Sequence, residues 1–138
     1  SGFHIAVKGN NVNWVKTTKE CESYQSFREY LNIVFNYAGT ASLTKELKQI
    51  TLAQMQIGDV FIRGGSPGHA VIVVDMAVDP KTNKKVFMIA QSYMPAQDIH
   101  ILINNNKPAI SPWYDLEETA SEIQTPEWIF EGNQLKRF

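Results

Sequence analysis

Apolar residues along this chain follow three rhythms, and each predicts a different kind of element. Phe27, Tyr30, Leu31, Val34, Phe35 and Ala38 recur every three or four positions, which lays one stripe along an α-helix. Gly39 is well placed to end that helix. Its start has several candidates. Ser26 and Glu29 have capping-box spacing, while Ser23, or Thr17 and Thr18, would cap an earlier turn, with the helix beginning near residue 19 or 20. A second rhythm is the short alternating segment: HIAV (4–7) and VNWV (12–15) flank KGNN, a hairpin signature. The third is the near-continuous apolar run HAVIVVDMA (69–77), which predicts a strand covered on both faces.

Other segments fill in the order. A short helical piece is expected around SLTKELKQ, then a strand at VFIR (60–63). The 69–77 strand is expected to return through the turn VDPKTNKK into a strand at 85–91. DIHILI (98–103) reads as a further strand, SPWYDL as an aromatic-rich loop, and EWIF with QLKRF as a final pair of strands around EGN. The expected architecture is α+β: one main amphipathic helix, its stripe in the core, packed on an antiparallel sheet of about five to seven strands. A single domain over 1–138 accounts for the whole length.

Composition narrows the function classes. A net charge of −1 and the lack of Lys/Arg runs with interleaved aromatics argue against nucleic acid as a partner. No stretch nears the roughly 18 apolar residues of a membrane span. Cys21 is the single cysteine, so no disulfide forms within the chain and no compartment can be read from it. The glycines before His69 do not make a phosphate loop, because no GK[ST] and no helix follow them.

The candidate chemistry gathers around His69. It stands between the turn GGSPG and the apolar strand, and the returning strand ends in Gln91, Ser92 and Tyr93. With the turn centred near residues 81–82, His69 falls opposite Ser92, Tyr93 or Met94, and Gln91 lies within a position or two. An imidazole that serves as a general base needs its second nitrogen held, and either the Gln91 amide oxygen or the Ser92 hydroxyl suits that role. Asp75 shares the strand but lies about 20 Å along it, too far to orient the ring. Cys21 is the candidate nucleophile if it stands at the start of the helix, where the helix dipole favours thiolate.

The order of helix, QIGDVFI, PGHAVIVVD and a strand ending in a polar residue resembles the NlpC-type papain-like cell-wall peptidases. That resemblance implies a papain-like fold, with His69 as the family histidine and Gln91 or Ser92 as the third group. Two departures stand out. Cys21 lies further from Gly39 than the superfamily cysteine lies from the end of its helix, and ECES replaces the Asp-Cys-Ser signature. A second resemblance covers nearly the whole chain. SYQSFREYLNIVFNYAGTASL, GGSPGHAVIVVDMA, AQSYMPAQDIHIL, SPWY and TPEW together look like an uncharacterised family of Gram-negative bacterial envelope proteins, a domain of unknown function. It implies a periplasmic or envelope location. It also implies that this chain is the C-terminal part of a longer family domain, with a further Cys-bearing motif upstream.

Two functions follow as expectations. One is a cysteine hydrolase, an amidase or peptidase acting on cell-wall peptide, in which Cys21 attacks, His69 carries the proton and Gln91 or Ser92 orients the ring. The other is a non-catalytic glycan- or peptide-binding or scaffold domain. In either, Gly65, Ser66, Gly68, Tyr93, Trp113 and Tyr114 are the candidate binding residues, although for Trp113 and Tyr114 anchoring of their loop in the core is the favoured role. Neither reading calls for a cofactor. Asp98 and His100 alternate on one strand face, but they lack a recognisable metal-ligand spacing with His69, so no metal site is expected.

Overall fold

The computed structural model describes residues 3–9, 11–16, 22–117 and 121–138. They form two compact units, Ser1–Gly39 and Thr40–Phe138.

The N-terminal unit begins with the expected hairpin. β1 (Phe3–Lys8) and β2 (Asn11–Lys16) pair antiparallel, with Lys8 opposite Asn11. That register leaves a two-residue turn whose first position must be left-handed, and Gly9 supplies φ +61°. α1 spans Tyr24–Tyr37. Ser23 sets its start, because the Ser23 side chain accepts a hydrogen bond from the Ser26 N–H at 3.2 Å. α1 therefore begins at Tyr24, with Ser26 inside its first turn, while Thr17, Thr18 and residues 19 and 20 lie outside the described residues. At the other end the Ala38 N–H closes on the Val34 carbonyl at 2.8 Å, one residue before Gly39.

The stripe on α1 has the predicted period but not the predicted burial. No residue of α1 is buried, and Phe27, Tyr30 and Phe35 are 53%, 60% and 76% exposed. Periodicity says which face of a helix is apolar; it does not by itself set how far that face is buried.

The core lies in the C-terminal unit and is built on strands. α2 (Thr40–Glu46) leads to β3 (Lys48–Gln49), a short 3-10 turn, and β4 (Val60–Arg63). β5 (His69–Val78) and β6 (Lys85–Gln91) follow as a long hairpin. The short strands β7 (His100–Ile101) and β8 (Tyr114–Asp115) both pair with β6, toward opposite ends of it. Together with the C-terminal β11 (Leu135–Arg137) these make a seven-stranded antiparallel sheet in the order β3-β11-β4-β5-β6-β7, with β8 beside β6.

The central strands are covered on both faces, as the unbroken apolar run predicted. Phe61, Val71, Val73, Phe87 and Ile89 face one cluster with Phe130 and Leu135. Val60, Ile62, Ala70 and Ile72 face the other, against Leu43 and Leu47 from α2 and its end. At roughly 25 cal/mol per Å² of apolar surface removed from water, each fully buried Phe, Ile or Val contributes on the order of 1.5–3 kcal/mol.

The chain end departs from expectation. EWIF and QLKRF do not pair with each other. β10 (Ile129–Glu131) forms a two-stranded ribbon with β9 (Glu122–Gln124), and β11 crosses to the main sheet beside β4. The 3-10 turn Gly132–Gln134 redirects the chain between them. An ion pair to a buried carboxylate holds the new position: Arg137 Nε and Nη2 reach the two Asp59 carboxylate oxygens at 2.7 and 2.9 Å. The strand expected over 98–103 shortens to two residues, although the Leu102 N–H still reaches the Ile89 carbonyl at 2.9 Å. No described helix is long and apolar enough to cross a membrane.

Candidate functional site

The register of the β5–β6 hairpin decides which polar groups meet His69. Ile72 pairs with Ala90, so continuing the ladder by three places sets Tyr93 opposite His69. Side chains two apart on a strand share a face, which puts Gln91 on the diagonal from His69. Ser92 is one position out of phase. Of Gln91 and Ser92, it is Gln91 that meets the ring: His69 Nε2 lies 2.6 Å from Gln91 Oε1. An amide oxygen can only accept, so Nε2 carries a hydrogen, and the neutral form of the ring has its lone pair on Nδ1. Asp75 is spent locally at the β-bulge that follows Val73, where its carboxylate accepts the Met76 N–H at 2.7 Å.

Gln91 is only 2% exposed and uses both ends of its amide. Its Nε2 donates to Glu127 Oε2 at 2.9 Å. Glu127 belongs to the turn Thr125-Pro126-Glu127-Trp128. Thr125 Oγ1 accepts the Trp128 N–H at 3.0 Å, and the Thr125 N–H donates back to the Trp128 carbonyl at 2.8 Å.

The same turn sets Trp128 flat against His69, with ring centroids 5.2 Å apart and planes 19° from parallel. Tyr93 meets the imidazole edge-on at 5.1 Å, and the Trp128 indole N–H lies 3.3 Å from the Tyr93 hydroxyl. Three contacts thus fix the ring: a hydrogen bond at one nitrogen, a stacked face and a T-shaped neighbour. Arg63, the cross-strand partner of His69, places its guanidinium 5.9 Å from the Trp128 ring.

His69 opens into a hollow of about 440 Å³. Pro67, Tyr93, Met94 and Trp128 form its apolar wall, and Ser92 and Gln97 add polar groups without net charge. Gly68 lies at the rim for a steric reason. A Cβ there would collide with Thr40 Oγ1 and come within 2.7 and 2.9 Å of the Gly65 and Arg63 backbone oxygens. Gly65 holds φ +139°, open to glycine and strained for other residues.

The sequence-predicted residues therefore divide. His69, Gln91 and Tyr93 come together, and Gly68 and Ser92 line the hollow beside them. Gly65 and Ser66 sit in the exposed loop that leads to it. Tyr114 is buried at 3% exposure against Phe87, with its hydroxyl donating to the Ile103 carbonyl at 2.7 Å, so it anchors the core. The carbonyl of Trp113 accepts from the Asn104 side chain at 2.9 Å, and its loop does not line the His69 hollow. Cys21 lies outside the described residues. His100 Nδ1 lies 2.9 Å from the Asp98 backbone oxygen, and among the described residues no three His, Cys, Asp or Glu side chains are grouped to hold a metal ion.

Glu127 and Trp128 are the residues that strand reading missed, since EWIF reads as the start of a strand. The available signal was Thr125-Pro126, a turn opening that presents the next two side chains outward. No curated protein and no solved structure matches the chain. Its motifs do have one home: the chain belongs to the family described as Domain of unknown function (4846), which matches residues 1–137.

Proposed function

We propose that this domain is a thiol-dependent amide hydrolase with His69 as its general base, in a papain-like arrangement. The observation that carries the reading is the 2.6 Å contact between His69 Nε2 and Gln91 Oε1. It supports a ring held in one orientation with Nδ1 available, and Cys–His–amide constellations work in that way. Cys21, the single thiol of the chain, is the candidate nucleophile. In this scheme Nδ1 takes the thiol proton and the thiolate attacks the amide carbonyl. The imidazolium then returns the proton to the departing amine as the C–N bond breaks. Water, deprotonated by the same nitrogen, cleaves the thioester and releases the acid. A neutral amide behind the ring suits this cycle, since the thiolate itself is the counter-charge for the imidazolium. A cell-envelope peptide is the substrate class that the family resemblance suggests.

The test is alkylation of Cys21 by iodoacetamide at pH 6. The native protein should react faster than a denatured control, and His69→Ala should remove the excess. Equal rates in native and denatured protein would sink the hydrolase reading.

A second reading rests on the hollow itself. Its apolar, uncharged wall of Tyr93, Met94 and Trp128 also suits a domain that only binds a glycan or peptide. On that reading Cys21→Ala leaves affinity for muropeptides intact, whereas Trp128→Ala weakens it.

A further inference from the structure

We infer that Glu127 is a positioning residue that selects the tautomer of His69. An amide side chain has two ends of nearly equal shape and opposite hydrogen-bonding character. If Gln91 turned over, its NH₂ would face His69 Nε2. The imidazole would then have to accept at Nε2 and carry its hydrogen on Nδ1, the nitrogen that a base must keep free. Nothing in the His69–Gln91 contact alone forbids that exchange, because both networks contain one hydrogen bond of similar length.

Glu127 breaks the symmetry. An ionised carboxylate only accepts, so it can be served by the NH₂ end of Gln91 and never by the oxygen. The observed 2.9 Å contact from Gln91 Nε2 to Glu127 Oε2 is of this charge-assisted kind. Turning the amide over would set its oxygen against the carboxylate and leave a buried NH₂ facing an N–H. Gln91 is 2% exposed, so water does not readily rescue either group. The order of constraint runs from the Thr125 turn to Glu127, from Glu127 to the Gln91 amide, and from Gln91 to the proton on His69. Glu127 itself is exposed, which makes it replaceable without opening the core.

The readout is the tautomer, measured by long-range ¹H–¹⁵N correlation of the His69 ring in the whole chain at a pH where the ring is neutral. The native protein should show the Nε2–H form. In Glu127→Gln the new amide can present either end to Gln91, so both networks close and the Nδ1–H form should rise toward about half. Glu127→Asp keeps an acceptor-only group and should restore much of the Nε2–H form. An unchanged tautomer ratio in Glu127→Gln would overturn the inference.

The inference rests on the hydrolase reading only for its effect on rate, and the two fail separately. A tautomer that shifts in Glu127→Gln while native Cys21 alkylates no faster than denatured control leaves this inference standing and removes the hydrolase. A tautomer that does not move removes this inference whatever Cys21 does.

Discussion

Two turns in this chain carry the same ingredients and do opposite things. Ser111-Pro112-Trp113-Tyr114 and Thr125-Pro126-Glu127-Trp128 each open with a hydroxyl residue and a proline and each deliver a large aromatic side chain. In the first, the aromatic residue is already in a strand: Tyr114 begins β8 and is seated opposite Phe87 of β6. Its ring goes into the core and its hydroxyl is consumed by the Ile103 carbonyl. In the second, the strand begins one residue later, at Ile129, so Trp128 remains on the rim and stacks on His69. Aromatic content thus says little about ligand sites. The phase between a turn and its following strand decides whether a ring becomes core or wall.

The largest expected effect tests the core side of this contrast. Tyr114→Ala should cost about 3–5 kcal/mol of unfolding free energy, the usual range for deleting a buried aromatic ring, measured by urea denaturation. A loss under about 1 kcal/mol would mean that Tyr114 is not an anchor.

A subtler test uses pH. Burial, with a smaller contribution from the negative charge of Glu127, pushes the Tyr114 phenol up to about 12 from its ordinary 10. The folded protein therefore keeps the phenol neutral where the unfolded chain ionises. Stability from this group is full below about pH 10 and is lost as pH rises from there through about 12. Tyr114→Phe should flatten that part of the stability profile, and a profile identical to the native one would contradict the assignment.

Trp128→Ala should cost less stability than Tyr114→Ala, because the ring is only half-buried; the stacked contact accounts for about 0.5–1.5 kcal/mol beyond the area it covers. Its signature is local: the His69 ring protons should lose the ring-current shift of the stacked indole, while Trp113→Ala leaves them in place. If the two substitutions moved the His69 resonances equally, the distinction between the turns would collapse.

Much of this was legible in the residues. The turn KGNN, the doubly apolar strand at residues 69–77 and the polar turn after it carry their own local reasons, so hairpin geometry and the nearness of His69 to Gln91 could be read from spacing. The start of α1 was legible only as a set of options, because Ser23 and Ser26 are both competent caps and one hydrogen bond chose between them. The fate of EWIF and QLKRF was not legible at all. Two adjacent apolar segments look like a hairpin until the buried Asp59, 78 positions before Arg137, claims the second one through an ion pair.

The sequence by itself determined the local elements and one half of the candidate site: a histidine at a strand mouth and an amide on its partner strand, related by the period of two that every strand obeys. The tertiary structure decided the rest. It chose Gln91 over Ser92 through register, and it brought Glu127 and Trp128 from 36 and 59 residues away to hold that amide and that ring. It also kept Tyr114 for the core. The physical reason is that periodicity is local, whereas the partner of a buried polar group is chosen by whichever distant segment packs beside it, and such a group must find one.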